Sequence, residues 1–324
     1  KINPKIGMAY SNLGSILSDL GKSKEAKTEW IKAIEIDPHS IISIRELATR
    51  LYYEKKYDIA IKYLNKTQDE YCQSLYLSCL LSLDRENEFN QKCKDLLSNG
   101  VCNANIGGVI EHANIIYQNN INSPFCNQAI KYIFMDKIDE SLLSNDHLDE
   151  LIAYLKNEKT LLRSQKTLIS GVQTSGDLFS LDFPFIKSMK NALEAKIAIY
   201  KNKFRNSGQG FINYWPKKYQ LRAWMIGMKA GGFLHPHNHE YGWITGSFYL
   251  KIPLCNKKND NSGNLAFSYE GPQYPNKGQI FPLTIQKLET RDLCIFPSSL
   301  FHHTIPFQGS EDRICFVFDL ISKK

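Results

Sequence analysis

From Gly231 to Leu250 the chain reads Gly-Gly-Phe-Leu-His-Pro-His-Asn-His-Glu-Tyr-Gly-Trp-Ile-Thr-Gly-Ser-Phe-Tyr-Leu, with three histidines at alternate positions running into aromatic and β-branched residues. In extended backbone, side chains two positions apart project from the same face. His237 and His239 can therefore reach one ion at a sheet edge. A solvated loop that is histidine-rich by composition is the competing reading. Against it, five of the eight histidines fall in the last third of the chain, in this run and in Phe301-His302-His303-Thr304.

The surroundings of both segments have the texture of short strands. After Trp215-Pro216-Lys217-Lys218, strand-like runs extend from Gln220 to Met228, Trp243 to Pro253, Asn264 to Tyr269, Phe281 to Leu288, Asp292 to Phe296, His303 to Phe307 and Arg313 to Leu320. Turn-rich stretches such as 256–263 separate them. This spacing predicts an all-β sandwich or jelly roll over residues 205–324.

The first hundred residues follow a different period. Leu13, Gly14, Leu17, Ala26, Trp30 and Ala33, closed by Pro38, fit the pattern of a tetratricopeptide repeat, a helical hairpin of about 34 residues. A second unit uses Leu47, Ala48, Leu51, Ala60 and Leu64. A third, from about Tyr71 to Leu97, keeps helical spacing but loses the small residues, as a capping repeat does. The opening Lys1-Ile2-Asn3-Pro4 reads as the tail of an earlier repeat, so a processing boundary is expected there. Stacked repeats predict a surface for a peptide or protein partner. Residues 101–204 carry helical runs at 148–155 and 185–193, with a glycine-punctuated loop expected at 170–179. The expected organisation is α+β multidomain: repeats over 1–100, a helical connector over 101–204, and the β domain.

Composition narrows the remaining classes. No apolar run approaches the roughly 20 residues of a membrane span. The net charge is +7, but the lysines are dispersed, which argues against a nucleic-acid footprint. The eight cysteines form no CxxC pair and sit in apolar surroundings, as expected for free thiols in a reducing cytoplasm.

Pro236-His237-Asn238-His239, Gly242 to Leu250, Phe296 to His302, Pro306 and Glu311-Asp312-Arg313-Ile314 together resemble a 2-oxoglutarate/Fe(II) oxygenase family of bacteria and phages, whose members often carry tetratricopeptide repeats. Gln173-Thr174 and Ser123 to Cys126 resemble further segments of its repeat-bearing members. The resemblance implies a double-stranded β-helix and a dioxygenase using Fe(II), 2-oxoglutarate and dioxygen, with hydroxylation as the expected reaction. It implies His237 and His302 as iron ligands and Arg313 as the clamp on the distal carboxylate of 2-oxoglutarate, with Tyr249 as its hydroxyl partner. Where the common triad has a carboxylate, this chain has His239, which strand alternation sets beside His237 and which is expected to complete the site, with Glu240 or a water as the alternative. His235 is expected to neighbour it, and His303 to point away. Gln220, Arg222, Trp224, Asn264 and Cys315 are further candidates for the pocket wall. A repeat-based scaffold with an inactive jelly roll and a three-histidine cupin-type enzyme without 2-oxoglutarate are the alternatives.

Overall fold

The computed structural model describes residues 4–163, 165–253 and 261–323. Lys1 to Asn3, Cys255 and most of the turn expected at 256–263 lie outside the described residues. Two compact units result, one of Lys1–Val101 with Tyr117–Ile121 and one of Cys102–Ile116 with Asn122–Lys324.

The first unit contains helices α1 (Pro4–Asp19), α2 (Ser23–Ile36), α3 (Ile41–Tyr53), α4 (Tyr57–Leu64), α5 (Glu70–Ser82) and α6 (Glu86–Ser98). Consecutive helices pack on one another across short turns. A Cβ at Gly14 would come within 2.5 Å of the Trp30 indole, so the absent side chain lets α1 lie against the buried Trp30 of α2. Asp69 caps α5 by accepting from the Cys72 N–H at 3.2 Å and is held by Arg45 Nη2 at 2.9 Å.

Among the described residues the second unit adds α7 (Ala104–Tyr117, its last residue excepted), α8 (Asn145–Lys156) and α9 (Pro184–Lys203) to ten strands. In chain order these are β1 (Phe134–Lys137), β2 (Leu162–Arg163), β3 (Leu168–Thr174), β4 (Tyr219–Leu234), β5 (Ile244–Lys251), β6 (Leu265–Ser268), β7 (Leu283–Gln286), β8 (Asp292–Pro297), β9 (Phe301–Thr304) and β10 (Arg313–Ser322). One antiparallel sheet has the order β1-β8-β5-β10-β4-β3-β2 and a smaller one the order β7-β6-β9. Phe267 of the small sheet meets Phe296 of the large one edge-on, centroids 4.9 Å apart, inside a shared apolar core.

Two expectations change. The connector is not purely helical, because β1, β2 and β3 extend the large sheet. The segment 170–179 is not a loop throughout; its first half is the C-terminal part of β3. The glycine that suggested a loop instead permits close pairing, since a Cβ on Gly171 would stand 2.9 Å from the Gly227 carbonyl. A register shift between Ile169 and Gly171 leaves Ser170, whose φ is +48°, opposite the four residues Lys229 to Gly232 of β4.

Alternation along β10 explains how the cavity is made. Ile314, Phe316, Phe318 and Leu320 enter the core, while Arg313, Cys315, Val317, Asp319 and Ile321 face the opposite side. Gly246 on β5 is required by this packing, because a Cβ there would overlap the Phe318 ring.

Glu111 on α7 is buried and accepts from the Ala129 N–H at 3.2 Å. Burial pushes its carboxyl up to about 8, against the smaller opposing pull of the backbone N–H groups. A folded-state value above the unfolded one gives stability that is full below the unfolded value and lost as pH rises through 8. Glu111→Gln keeps the acceptor without the charge. Its denaturant midpoint should exceed that of the wild type at pH 8 by an amount equivalent to about 1–3 kcal/mol, and the two should converge at pH 5.

Candidate metal centre

His302 lies on β9, and an isolated bridge pins His237 to it. The His237 N–H donates to the His302 carbonyl at 3.1 Å and the His302 N–H to the His237 carbonyl at 2.9 Å. His239 N–H donates to the Ser298 carbonyl at 3.2 Å, and His235 N–H to the Thr167 carbonyl at 2.9 Å. The segment is thus held extended at every second residue, which is what brings His237 and His239 to one side. Ring centroids lie 4.5 Å (237–302), 5.3 Å (237–239) and 5.2 Å (239–302) apart, and one nitrogen from each imidazole lies within 4.8 Å of the others.

All three rings are oriented through Nδ1. That atom of His237 is 2.8 Å from the His235 carbonyl, that of His302 is 3.3 Å from the Leu300 carbonyl, and that of His239 is 2.7 Å from Asp319 Oδ1. Each partner is an acceptor, so the hydrogen-bond pattern places the proton on Nδ1 and leaves the Nε2 lone pair for an ion. Burial pushes His237 down to about 4 and His302 well below its ordinary value, with the neighbouring imidazoles adding to both. Neutral imidazole is the form that binds metal. The set can hold a divalent ion of the Fe, Co, Ni or Zn type on one face.

Asp319 was not among the residues singled out from the sequence. It sits among apolar residues on β10, but six positions after Arg313 and therefore on the same face. Its Oδ1 accepts from His239 and, at 2.7 Å, from the Thr245 hydroxyl, which is 2.8 Å from the Ser298 hydroxyl. Gly242 makes room for this network, since a Cβ there would strike the Ser298 hydroxyl. A carboxylate is therefore present, one bond removed from the position where the common triad carries it. Glu240 is exposed and outside the cluster, whereas the His239 side chain is 8% exposed.

Arg313 is 1% exposed. Its Nε donates to the Gly263 carbonyl at 2.9 Å and Nη1 lies 3.8 Å from Cys315 Sγ. No carboxylate among the described residues pairs with it. Its guanidinium lies 5.0 Å from the Tyr249 ring centroid, and the buried Tyr249 hydroxyl, near Ser247, makes no well-formed hydrogen bond among the described residues. Burial pushes that phenol well up, with Arg313 opposing. A cavity of about 280 Å³ is lined by these two residues and by the three histidines. A buried cation and an orphaned hydroxyl in a cavity beside three imidazoles fit an anion with further oxygen acceptors.

Arg222, Trp224 and Cys315 also line the cavity, whereas Gln220 and Asn264 do not. Trp224 stacks on His239 with centroids 5.7 Å apart. His235 is exposed against Phe233, and His303 is outside the cluster. Behind the histidine loop, a Cβ on Gly108 of α7 would stand 2.9 Å from the Ser299 carbonyl and 3.2 Å from Asn238 Nδ2. The Gly107-Gly108 pair thus lets a helix back directly onto the site.

Residues 222–319 match the family described as "Putative 2OG-Fe(II) oxygenase". The matched part includes the three histidines, Tyr249, Arg313 and Asp319. No curated protein matches the chain. Among solved structures it is distantly similar to a Pseudomonas putida prolyl-4-hydroxylase, at 8% identity over 59% of this chain and 93% of that one with a TM-score of 0.40. HygX from Streptomyces hygroscopicus, solved with nickel and 2-oxoglutarate, gives 10%, 61%, 88% and 0.41. A prolyl hydroxylase from Trichoplax adhaerens, solved with a hypoxia inducible factor peptide, gives 13%, 67%, 90% and 0.42.

Removing the carboxylate should loosen the metal. Asp319→Ala is expected to weaken Co(II) affinity by about 10- to 100-fold, and Asp319→Asn, which keeps an acceptor, by less. Anaerobic Co(II) titration followed by visible absorbance checks this, with circular dichroism as the control for folding.

Proposed function

We propose that the protein is an Fe(II)- and 2-oxoglutarate-dependent dioxygenase acting as a hydroxylase. The observation that carries this reading is the buried Arg313, with no carboxylate partner among the described residues, in the same cavity as three imidazoles oriented through Nδ1. His237, His239 and His302 would hold Fe(II). Arg313 would pair with the distal carboxylate of 2-oxoglutarate in a planar, two-point contact, and the Tyr249 hydroxyl would donate to the same group. When bound, iron and 2-oxoglutarate supply the activation of dioxygen, with the 2-oxo acid giving succinate and carbon dioxide as a substrate C–H bond is oxidised.

The chain's own residues bind, orient and shield. Ile226, Leu234, Leu265 and Val317 line the cavity with apolar surface that limits access of water to the reacting groups. The Nδ1 anchors fix the imidazole planes, and Asp319 would compensate charge that three neutral ligands leave on a bound ion.

The substitution of His239 for an acid favours a second reading, a three-histidine enzyme that does not use 2-oxoglutarate. The inward placement of Arg313 weighs against it. The helices α1 to α6 are read as tetratricopeptide repeats and as the surface for a peptide or protein partner. The free state of the seven described cysteines suits a reducing cytoplasm. No helix of the described residues is long and apolar enough to cross a membrane.

Anaerobic titration of the Fe(II)-loaded protein with 2-oxoglutarate should produce the metal-to-ligand charge-transfer absorbance of a chelated 2-oxo acid. His237→Ala and His302→Ala should abolish both this band and succinate formation. Arg313→Ala should raise the 2-oxoglutarate requirement by about 30-fold or more, as loss of a buried charge pair does, while leaving Co(II) binding near wild type. Normal succinate production by either histidine variant would overturn the ligand assignment.

A further inference from the structure

The wall of the cavity opposite Arg313 carries charge that the proposed co-substrate does not use. Along β4, Arg222 and Trp224 share the cavity face. Arg222 stands directly across from Asp319 in the β4–β10 register, yet no ion pair joins them. Asp319 is instead engaged with His239 and Thr245. On the edge strand β2, Arg163 lies across from Gln173, whose own partner on β4 is Ile226. With its carbonyl turned toward the guanidinium, the buried Gln173 amide accepts from Arg163 Nε at 2.8 Å and from Nη2, and donates to Gln165. Arg163 is thereby positioned by a neutral group that leaves its charge uncompensated. Neither arginine meets a carboxylate among the described residues, and both are exposed at the cavity rim. Tyr241, 63% exposed, lies at the same rim.

The size of the cavity says what such a rim is for. At about 280 Å³ it falls just below the roughly 300–1,000 Å³ of pockets that engulf drug-sized ligands. A co-substrate and one reacting group fill it. The rest of the substrate must stay outside, across the rim where the two guanidiniums stand.

We infer that the substrate is an acidic peptide segment, one side chain of which enters beside Trp224 while flanking carboxylates pair with Arg222 and Arg163. This rests on the oxygenase reading for the identity of the cavity. Arg222 and Arg163 are specificity residues in this arrangement and take no part in holding the ion or the co-substrate.

The test uses fluorescein-labelled ten-residue peptides rich in Asp and Glu, and counterparts with Asn and Gln, in fluorescence anisotropy with the whole chain loaded with Co(II) and 2-oxoglutarate. The acidic peptide should bind and the amide peptide should not. Arg163→Gln and Arg222→Gln should each weaken binding by about three- to tenfold. The pair Lys201→Gln/Lys203→Gln, on exposed positions of α9, removes twice the charge of either arginine variant and should leave binding unchanged. Co(II) and 2-oxoglutarate affinities should be the same in both arginine variants, which a merely structural role would not predict. Equal binding of the amide peptide, equal loss in the lysine control, or capture of free glutarate but not the peptide would each overturn the proposal. If 2-oxoglutarate fails to bind while the acidic peptide still binds through the two arginines, the oxygenase reading falls and the acidic-ligand surface stands.

Discussion

The hydrogen bond between His239 Nδ1 and Asp319 Oδ1 joins the histidine segment to the central strand of the large sheet. One end belongs to an irregular segment held by backbone bonds at alternate residues; the other lies in the middle of the central strand β10. Its length, 2.7 Å, is that of a charge-assisted contact in a site largely shielded from water. It fixes the ring plane, selects the tautomer and brings a negative charge within one imidazole of the proposed ion. Thr245 holds the carboxylate in turn and is itself bonded to the Ser298 hydroxyl, and Gly242 leaves the space they need.

The site is otherwise a product of strand alternation. Odd-numbered residues of β10 from Arg313 to Ile321 face the cavity, and even-numbered ones from Ile314 to Leu320 build the core. Tyr249 and Ser247 on β5 and Trp224 and Ile226 on β4 complete the same face through register. No residue of this wall is placed by a long loop, which suits a site whose groups must be held to fractions of an ångström.

Much of this was legible in the sequence for the same reason. His237 and His239 are two apart, and the strands they precede are rich in β-branched and aromatic residues, so both convergence and fold class followed from period. Seven strands expected after residue 219 overlap the observed β4 to β10, with His302 drawn into β9 a little earlier than expected. Asp319 was not legible. An aspartate in Phe-Val-Phe-Asp-Leu looks like an interruption of a strand until its partner is known, and that partner is 80 residues away. β3 was hidden because Gly171 carries the usual signal of a loop, and only the Gly227 carbonyl beside it shows why glycine is needed; β1 and β2 are too short to show a period. The Gly107-Gly108 pair was equally silent, since in a helix it weakens propensity for no local reason.

One irregularity in the large sheet bears on how such a site can vary. Between Ile314 and Cys315 the β10–β5 register shifts, leaving Leu250 as an extra residue beside Tyr249. A bulge bends its strand and re-aims the side chains next to it without disturbing pairing further along. Arg313 lies on one side of this shift and Asp319 on the other. The proposed anion-binding end at Arg313 can therefore differ in angle and depth while the Asp319 end beside the proposed ion site keeps its register. The two halves of the chemistry share a strand but are free to evolve separately.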